Sequence, residues 1–111
     1  MAIAIVDANG DLVYLQRMDG VSPRGVTTSQ GKARAAVLFG LPTRQVREAA
    51  AAGQLVSATI TLPAAGAWEL TVQQGAFPVM VDGKVVAGIG VGGARVDESV
   101  AQAVLDAFGE R

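Results

Sequence analysis

The sequence predicts an α+β domain built on an antiparallel β-sheet, and three observations lead to this fold class. Two pairs of apolar segments are each separated by turn-forming residues, which is the pattern of β-hairpins. Small and apolar residues recur at helical spacing between the two hairpins, and again near the C-terminus. The chain has 111 residues, which are enough for a single domain with a hydrophobic core. Strands grouped in hairpins, with helices grouped apart from them, favour α+β over an alternating parallel fold.

The first predicted element is a hairpin whose strands cover Met1 to Val6 and Leu12 to Gln16. Residues 7–11 between them are rich in Asp, Asn and Gly, which favour turns. The segment from Val21 to Gly25 is predicted as a loop, because Pro23 and Gly25 interrupt regular structure.

Two helices are predicted after this hairpin. The hydroxyl side chains at 27–29 can cap a helix that runs to about Phe39 and ends at Gly40. Thr43 can cap a second helix from Arg44 to Ala52. Small residues on the first helix would let it pack closely on a sheet.

The remaining elements are a third strand, a central hairpin and a last helix. Trp68 to Gln73 alternates as a strand does, and it leads into the hairpin at Phe77 to Gly93. Asp97 is predicted to cap the last helix. That helix carries apolar residues at every fourth position, which predicts a buried stripe: Val96, Val100, Val104 and Phe108.

The central hairpin is the most informative stretch. Asp82-Gly83 between two apolar runs predicts a type I′ turn, which needs positive φ at both central residues. Phe77, Val79 and Val81 alternate on one face of the incoming strand. On the outgoing strand aliphatic residues alternate with glycines, so one face carries no side chains.

This glycine track, Gly88, Gly90 and Gly92, has two interpretations. With Gly93 it fits the G-x-G-x-x-G pattern of dinucleotide sites, but that pattern belongs in a strand-to-helix turn of a parallel βαβ unit. Here it runs along a strand that follows a hairpin. We therefore favour close packing of another body, a helix, a second subunit or a flat ligand, on the track.

Three segments resemble the GlcG/HbpS-like family in the same order along nearly the whole chain: DANGDLVYLQRMDG (Asp7 to Gly20), KARAAVLF (Lys32 to Phe39) and FPVMVDGKVVAGIGVGG (Phe77 to Gly93). The resemblance implies a profilin-like, five-stranded antiparallel sheet flanked by helices, with residues 1–111 forming one such domain. It also implies assembly into homo-oligomers and, in one branch, binding or degradation of haem. Fold is a firmer inference from such a resemblance than function.

The chain departs from the family pattern in four places. Family members start with an amphipathic helix, whereas this sequence starts with a strand, so either the sequence is shortened or a partner chain covers the same surface. Ala35 and Gly92 stand where the family often has Thr and Ser. Residues 72–76 replace a P-x-x-GG segment expected near the ligand pocket, so the ligand of this chain can differ from haem.

The composition excludes several functional classes. The chain has no cysteine and no histidine, which removes disulfides, thiolates, the commonest metal ligand and the commonest general base. A net charge of −1 gives no reason to expect nucleic acid or an anionic membrane as a partner. No apolar run reaches the roughly 20 residues of a membrane span, and the N-terminus lacks a signal-peptide pattern. We therefore expect a cytoplasmic protein with no metal site.

Basic residues within or near the family-like segments are candidates for an anion-binding patch, as a haem propionate or an organic acid requires: Arg17, Arg24, Lys32 and Arg34. Met18 is a candidate ligand for haem iron. Thr71 and Gln74 fall where the family has its pocket, and Tyr14 and Trp68 can stack on a planar ligand. For each of these residues the alternative is an ordinary surface or packing role.

Three hypotheses of function follow. The first is an oligomeric protein that binds haem or a related planar, acid-bearing molecule. The second is a cofactor-independent enzyme that acts on a small metabolite, with Glu69 and Lys32 as candidate catalytic residues. The third is a structural subunit of a hetero-oligomer.

Overall fold

The computed structural model describes residues 1–52 and 70–109 and confirms the α+β fold with an antiparallel sheet. Along the chain, a first pair of strands is followed by two helices, a second pair of strands and a last helix. The elements are β1 (Ala2–Asp7), β2 (Leu12–Arg17), α1 (Pro23–Phe39), α2 (Thr43–Ala51), β3 (Ala76–Val81), β4 (Lys84–Gly92) and α3 (Asp97–Gly109).

The sheet has four strands in the described residues, in the order β2-β1-β4-β3, and all neighbours are antiparallel. The predicted five-stranded sheet is therefore wrong for this part of the chain. Of the strand predicted over Trp68 to Gln73, residues 70–73 are not in a strand, and 68–69 lie outside the described residues. Gly75, with φ of 128°, turns the backbone immediately before β3. Alternation indicates an extended segment but does not supply a neighbour to pair with it.

The glycine track lies directly under α1, which confirms the prediction of close packing and identifies a helix as the packed body. A Cβ atom on Gly88 would lie 2.5 Å from the carbonyl oxygen of Ala33. A Cβ atom on Gly90 would overlap the carbonyl oxygen of Ser29, and Gly92 is equally crowded. Only glycine lets the backbones of strand and helix approach this closely.

Strand β1 continues this surface with small side chains. Ala2, Ala4 and Val6 are aligned with the three glycines across the antiparallel ladder, and all three are fully buried. Directly opposed residues share a face of the sheet. Helix α1 contributes Ala33 and Ala36 to the same core, and both are also fully buried. The core between helix and sheet is therefore thin and built almost entirely from small residues.

The hairpin turn between β3 and β4 is confirmed as type I′, because Asp82 and Gly83 have φ of 52° and 77°. A register shift after Val79 interrupts the ladder. Beyond it Val81 lies opposite Lys84 and is exposed, so the predicted common face of Phe77, Val79 and Val81 ends at the bulge.

Helix α1 begins earlier than predicted, and the predicted loop over Val21 to Gly25 is wrong from Pro23 onward. Ser22 is the N-cap, and its hydroxyl accepts a hydrogen bond from the N–H of Gly25 at 3.2 Å. Pro23 is the first helical residue, where its missing N–H costs nothing. Thr27 and Ser29 instead donate to helix carbonyls one turn back. Pro23 therefore starts this helix.

The predicted C-cap of α1 is confirmed, whereas the predicted N-cap of α2 is wrong. Gly40 has φ of 66° and caps α1, as predicted. The predicted cap by Thr43 is wrong, because Pro42 holds the N-cap position and makes no side-chain bond there. The hydroxyl of Thr43 is buried and accepts the N–H of Ala76 at 3.0 Å, which ties α2 to β3.

Helix α3 packs on the sheet face opposite α1, but its predicted stripe is only partly covered. Ala101 is fully buried, whereas Val96 and Phe108 are 51% and 42% exposed. Val100 and Val104 are half-buried, so the predicted buried stripe is wrong at both ends and only partly covered between them. Apolar spacing identifies the face of the helix that turns to the sheet, but not how much of it the sheet covers.

Candidate functional site

A polar pocket of about 230 Å³ lies where the N-terminus of α1 meets the end of β4 and the start of α3. Two basic side chains, one carboxylate and three uncharged polar side chains line it: Arg24, Lys32, Asp97, Ser22, Thr28 and Gln73. We call this the Lys32 pocket. It combines a high density of polar groups with a small volume.

Lys32 is the buried cation of this pocket, with only 3% of its side chain exposed. Its Nζ donates to the carbonyl oxygen of Val91 at 2.9 Å and to Asp97 Oδ2 at 2.7 Å. The β3–β4 ladder ends at Ala76, so the Val91 carbonyl lies beyond the last strand pair. The Val91 N–H is bound by Gly75, and Lys32 supplies the donor that the carbonyl needs. An ammonium has three donors, and these two bonds take two of them.

Asp97 is the first residue of α3, and its side chain is 17% exposed. Oδ2 accepts from Lys32, and Oδ1 accepts the N–H of Ala94 at 2.8 Å. The carboxylate thus bonds backward to the loop rather than forward to the helix that it was predicted to cap. A carboxylate offers about four lone-pair positions, so two bonds do not exhaust its capacity to accept.

The N-terminus of α1 adds positive potential to the same pocket. Pro23 has no N–H, and the N–H of Gly25 is bound by the Ser22 hydroxyl. The positive potential at this end is therefore that of the helix dipole rather than of several free N–H groups. The first turn carries no acidic residue to neutralise that charge, and it carries the exposed Arg24. Such helix ends are suited to binding anions when side chains support them.

Two glycines bring the backbones together at the edge of the pocket. A Cβ atom on Gly25 would lie 2.7 Å from Val21 Cγ2 and 3.4 Å from the Cα of Gly93. Gly93 itself has φ of 76°, which side chains disfavour. Because neither glycine has a side chain, backbone groups of α1 and of the loop after β4 line the pocket directly.

The arrangement suits one end of a small anion. Arg24, Lys32 and the helix terminus outweigh the single charge of Asp97, so the local balance is positive. Sites for drug-sized ligands occupy about 300–1,000 Å³, and this pocket lies below that range. It therefore has room for a small organic acid, or for the acidic end of a larger molecule.

Of the predicted anion-binding patch, the structure brings Arg24 and Lys32 together in one pocket. Arg17 is aligned with Ala2, which is aligned with Gly92, so two strand spacings, about 10 Å, separate Arg17 from Gly92. Met18 is adjacent to Arg17 at this end of the sheet, and neither lines the pocket. The Nε of Arg34 donates to Gly10 in the first hairpin loop at 3.1 Å.

The other candidates lie apart from the pocket or outside the described residues. Gln74 lines a separate pocket of about 280 Å³ beside Arg44 and Arg47 on α2, while its neighbour Gln73 lines the Lys32 pocket. Thr71 is half-buried before β3. The hydroxyl of Tyr14, on exposed β2, donates to Gln16. Trp68 and Glu69 lie outside the described residues, so their predicted roles stay predictions.

Sequence reasoning missed the partner of Lys32. Asp97 is 65 residues away in the chain, and no short-range pattern joins the two. Because a capping role already explains an aspartate at the start of a helix, nothing in the sequence indicates a distant partner for Asp97. Ser22 and Thr28 were missed as pocket residues because the cap of α1 was predicted at 27–29, five to seven residues after the observed cap.

A second cavity, of about 360 Å³, lies between α3 and the other face of the sheet. Its lining is almost entirely apolar, and it includes Ile5, Val79, Ile89, Val104 and Phe108. We call it the α3 groove. It has the volume of a ligand site but lacks the convergent polar groups that orient a ligand.

The described residues contain neither a candidate metal site nor a membrane-spanning helix. Across 1–52 and 70–109, no three acidic, histidine or cysteine side chains gather where they could share a metal ion. No helix within the same ranges combines the length and apolarity needed to cross a bilayer.

Comparison with known proteins places these features in context. The family model described as "Haem degrading protein HbpS-like" matches residues 1–106. Protein GlcG of Escherichia coli K12 is 36% identical over 91 residues, which cover 82% of this chain. The same match covers 63% of GlcG, so the chain spans less than two thirds of that relative.

Two solved structures share the fold. A double mutant of HbpS from Streptomyces reticuli superposes with a TM-score of 0.81 at 30% identity, covering 97% of this chain and 70% of that one. The PduOC:haem complex superposes with a TM-score of 0.77 at 24% identity, covering 96% of this chain and 76% of that one. At that identity the second likeness shows the fold alone.

Proposed function

The chain belongs to the HbpS-like family, and from that membership we propose that it binds a small acid-bearing molecule whose carboxylate lies in the Lys32 pocket. The finer expectation is haem or a related planar acid. The family description and the PduOC:haem complex, a protein with the same fold, give the reason to test haem first.

One observation carries the proposal. Lys32 is almost fully buried and is held by the carboxylate of Asp97, and it lines a pocket that also contains Arg24 and the N-terminus of α1. Burying a charge is costly unless it is paired, and Asp97 provides that pairing. The pair leaves the ammonium rigid. A rigid donor loses little entropy when a ligand binds, so it is suited to recognition.

The pocket fits the acid groups of haem better than its iron. Arg24 and Lys32 are suitable partners for a propionate. Haem iron is usually held by His, Cys, Met or Tyr, and none of these lines the pocket. Met18 is at the same end of the sheet and stays the candidate iron ligand. When bound, haem would supply redox or oxygen chemistry through its iron, and this chain's proposed part is to anchor the propionates.

The experiment compares haemin with iron-free protoporphyrin by absorbance titration. If carboxylates anchor the ligand, the two should bind with affinities within about threefold of each other. Arg24→Ala should weaken both by about 10- to 100-fold, the value of a hydrogen bond to a charged group. Arg47→Ala, on exposed α2, is the matched control and should bind as the unmodified chain does.

Haemin binding without porphyrin binding would indicate an iron ligand and contradict carboxylate anchoring. Absence of binding by either compound, and by simple carboxylic acids at millimolar concentration, would reject the proposed function.

Assembly is part of the proposal. Strand β2 is exposed along its length and forms an edge of the described sheet, and the α3 groove is uncovered. A second copy, or a partner chain, would bury these surfaces. The catalytic roles of Lys32 and Glu69 stay predictions.

A further inference from the structure

Helix α3 is held to the rest of the molecule unevenly along its length. In its first turn Asp97 accepts a hydrogen bond from the buried ammonium of Lys32 at 2.7 Å. One turn later Ala101 is fully buried. From 102 to 108 every residue is exposed or only half-buried. The strong contacts of α3 are therefore concentrated near its N-terminal end.

The α3 groove lies beneath the second half of this helix. Its helical side includes Val104 and Phe108, and its sheet side includes Val79 and Ile89. Atoms that line a gap of this kind lack partners on one side, so they forfeit the dispersion energy that close packing provides. Apolar packing therefore holds this half of α3 weakly, and docking of the helix depends more on the charged contact in its first turn.

Residues 93–96 join β4 to α3 and have the properties of a hinge. Residues 93, 95 and 96 are exposed, and Gly93 has φ of 76°. Hinges are short segments at the ends of elements that absorb changes of φ and ψ. The Lys32–Asp97 pair next to this segment is within reach of water, because the Asp97 side chain is 17% exposed. The pair can therefore break while the core between α1 and β4 stays packed.

We infer that α3 is a hinged cover over the apolar face of the sheet, and that the Lys32–Asp97 pair is the latch that holds it closed. Opening rotates the helix about residues 93–96 and exposes Val79 and Ile89, while α1 stays docked on the sheet. Such local opening costs less free energy than global unfolding. No ligand is needed for this motion, so the inference goes beyond the proposed binding function and is tested separately from it.

The test is thiol labelling of the native state with a bulky reagent, which the absence of cysteine from the chain makes specific. Val79→Cys places a thiol under α3, where the native side chain is 2% exposed. Val6→Cys is the matched control, because Val6 is fully buried beside Gly88 on the face that α1 covers. Without denaturant, Val79→Cys should be labelled at least about 10-fold faster than Val6→Cys.

The dependence of labelling on urea separates the two modes of opening. Release of one helix exposes little surface, so the rate for Val79→Cys should change little at low urea concentration. The rate for Val6→Cys should rise steeply, because this thiol is reached only by global unfolding.

Asp97→Asn, added to Val79→Cys, tests the latch. Loss of a hydrogen bond between charged groups should accelerate labelling by about 10- to 100-fold. Val46→Ala is the control, because Val46 is fully buried on α2 and its truncation lowers global stability without touching the latch. It should accelerate labelling of Val6→Cys and leave that of Val79→Cys within about threefold.

Equal labelling rates with the same urea dependence for Val79→Cys and Val6→Cys would overturn the inference, since α3 would then open only when the whole chain unfolds. Unchanged labelling of Val79→Cys in the presence of Asp97→Asn would overturn the role of the latch. If Asp97→Asn does not fold, Asp97→Glu replaces it, because a longer side chain keeps the charge but misplaces the carboxylate. It should accelerate labelling by about 10-fold, and no acceleration would count against the latch in the same way.

Discussion

Lys32 joins three elements through a single ammonium group. From its position on α1 it reaches the Val91 carbonyl near the end of β4 and the first residue of α3. Removing one partner of a buried pair leaves the other uncompensated, at a cost of about 3–5 kcal/mol, although a pair of this kind adds little over a well-packed apolar alternative. Lys32 therefore has a structural role whether or not a ligand binds.

At the residue scale we predict that Lys32→Met lowers the free energy of unfolding by about 3–5 kcal/mol, because Asp97 and the Val91 carbonyl both lose their donor. Urea denaturation measures this change. In a double-mutant cycle with Asp97→Asn, the double variant should cost less than the sum of the singles, by about 0.5–3 kcal/mol.

Arg44→Met is the control for this cycle. Arg44 pairs with Glu48 and Glu98 at 3.5 Å, but its side chain is 61% exposed, so the change should cost less than about 1 kcal/mol. A loss in Lys32→Met no larger than that of the control would show that the buried pair contributes little.

At the scale of elements, the dominant feature is the packing of α1 on β4. A glycine in a strand costs stability through its flexibility and its missing side chain. That cost is offset where a helix backbone rests directly on the strand, since close-packed atoms gain dispersion energy that a gap would forfeit. The sequence of β4 is thus matched to the sequence of α1, whose contact residues are also small.

At the element scale we predict that Gly90→Ala destabilises the fold, despite the better strand propensity of Ala. Relief of glycine flexibility would stabilise by about 0.4–1 kcal/mol. The new Cβ would overlap backbone atoms of Ser29 and Ala33, and such overpacking costs about 1–3 kcal/mol or more. The second effect is larger, so thermal or urea unfolding should show a net loss.

Val86→Ala, at the exposed end of the same strand, is the control and should change stability by no more than about 0.5 kcal/mol. Equal or greater stability of Gly90→Ala would mean that α1 is not seated on the glycine track.

At the scale of the whole molecule, several large apolar side chains are exposed among the described residues. On β2, Leu12, Val13, Tyr14 and Leu15 are all exposed, and β2 is an edge strand of the described sheet. Unprotected apolar edges tend to pair with other chains. On the other side of the molecule the α3 groove is equally uncovered.

At the scale of the whole molecule we predict that the chain self-associates at tens of micromolar, as light scattering coupled to gel filtration would detect. Val13→Lys places a charge at the most exposed apolar position of the edge, 66% exposed, and should shift the population toward monomer. Leu38→Lys, exposed on α1, is the control and should not. A monodisperse monomer at these concentrations would contradict the prediction.

Local signals in the sequence predicted local structure well. The type I′ turn at Asp82-Gly83 follows from the φ angles that two residues require, and the end of α1 at Gly40 follows from one. The glycine track predicted a close neighbour, because alternation assigns side chains to faces without knowledge of the fold. The predicted start of α1 was five to seven residues too late, because proline can either interrupt a helix or begin one.

The sequence by itself determined the fold class, both hairpins and the tight packing on β4, because these depend on dihedral preferences and on the two- and 3.6-residue periods. Only the tertiary structure decided that Lys32 meets Asp97 and that Arg24 joins them, while Arg17 stands two strands away. Ion pairs and hydrogen bonds depend on the distance between two groups in space, not on their separation along the sequence. Residues 32 and 97 meet because α1 and α3 pack on opposite faces of one sheet, an arrangement that exists only in the folded chain.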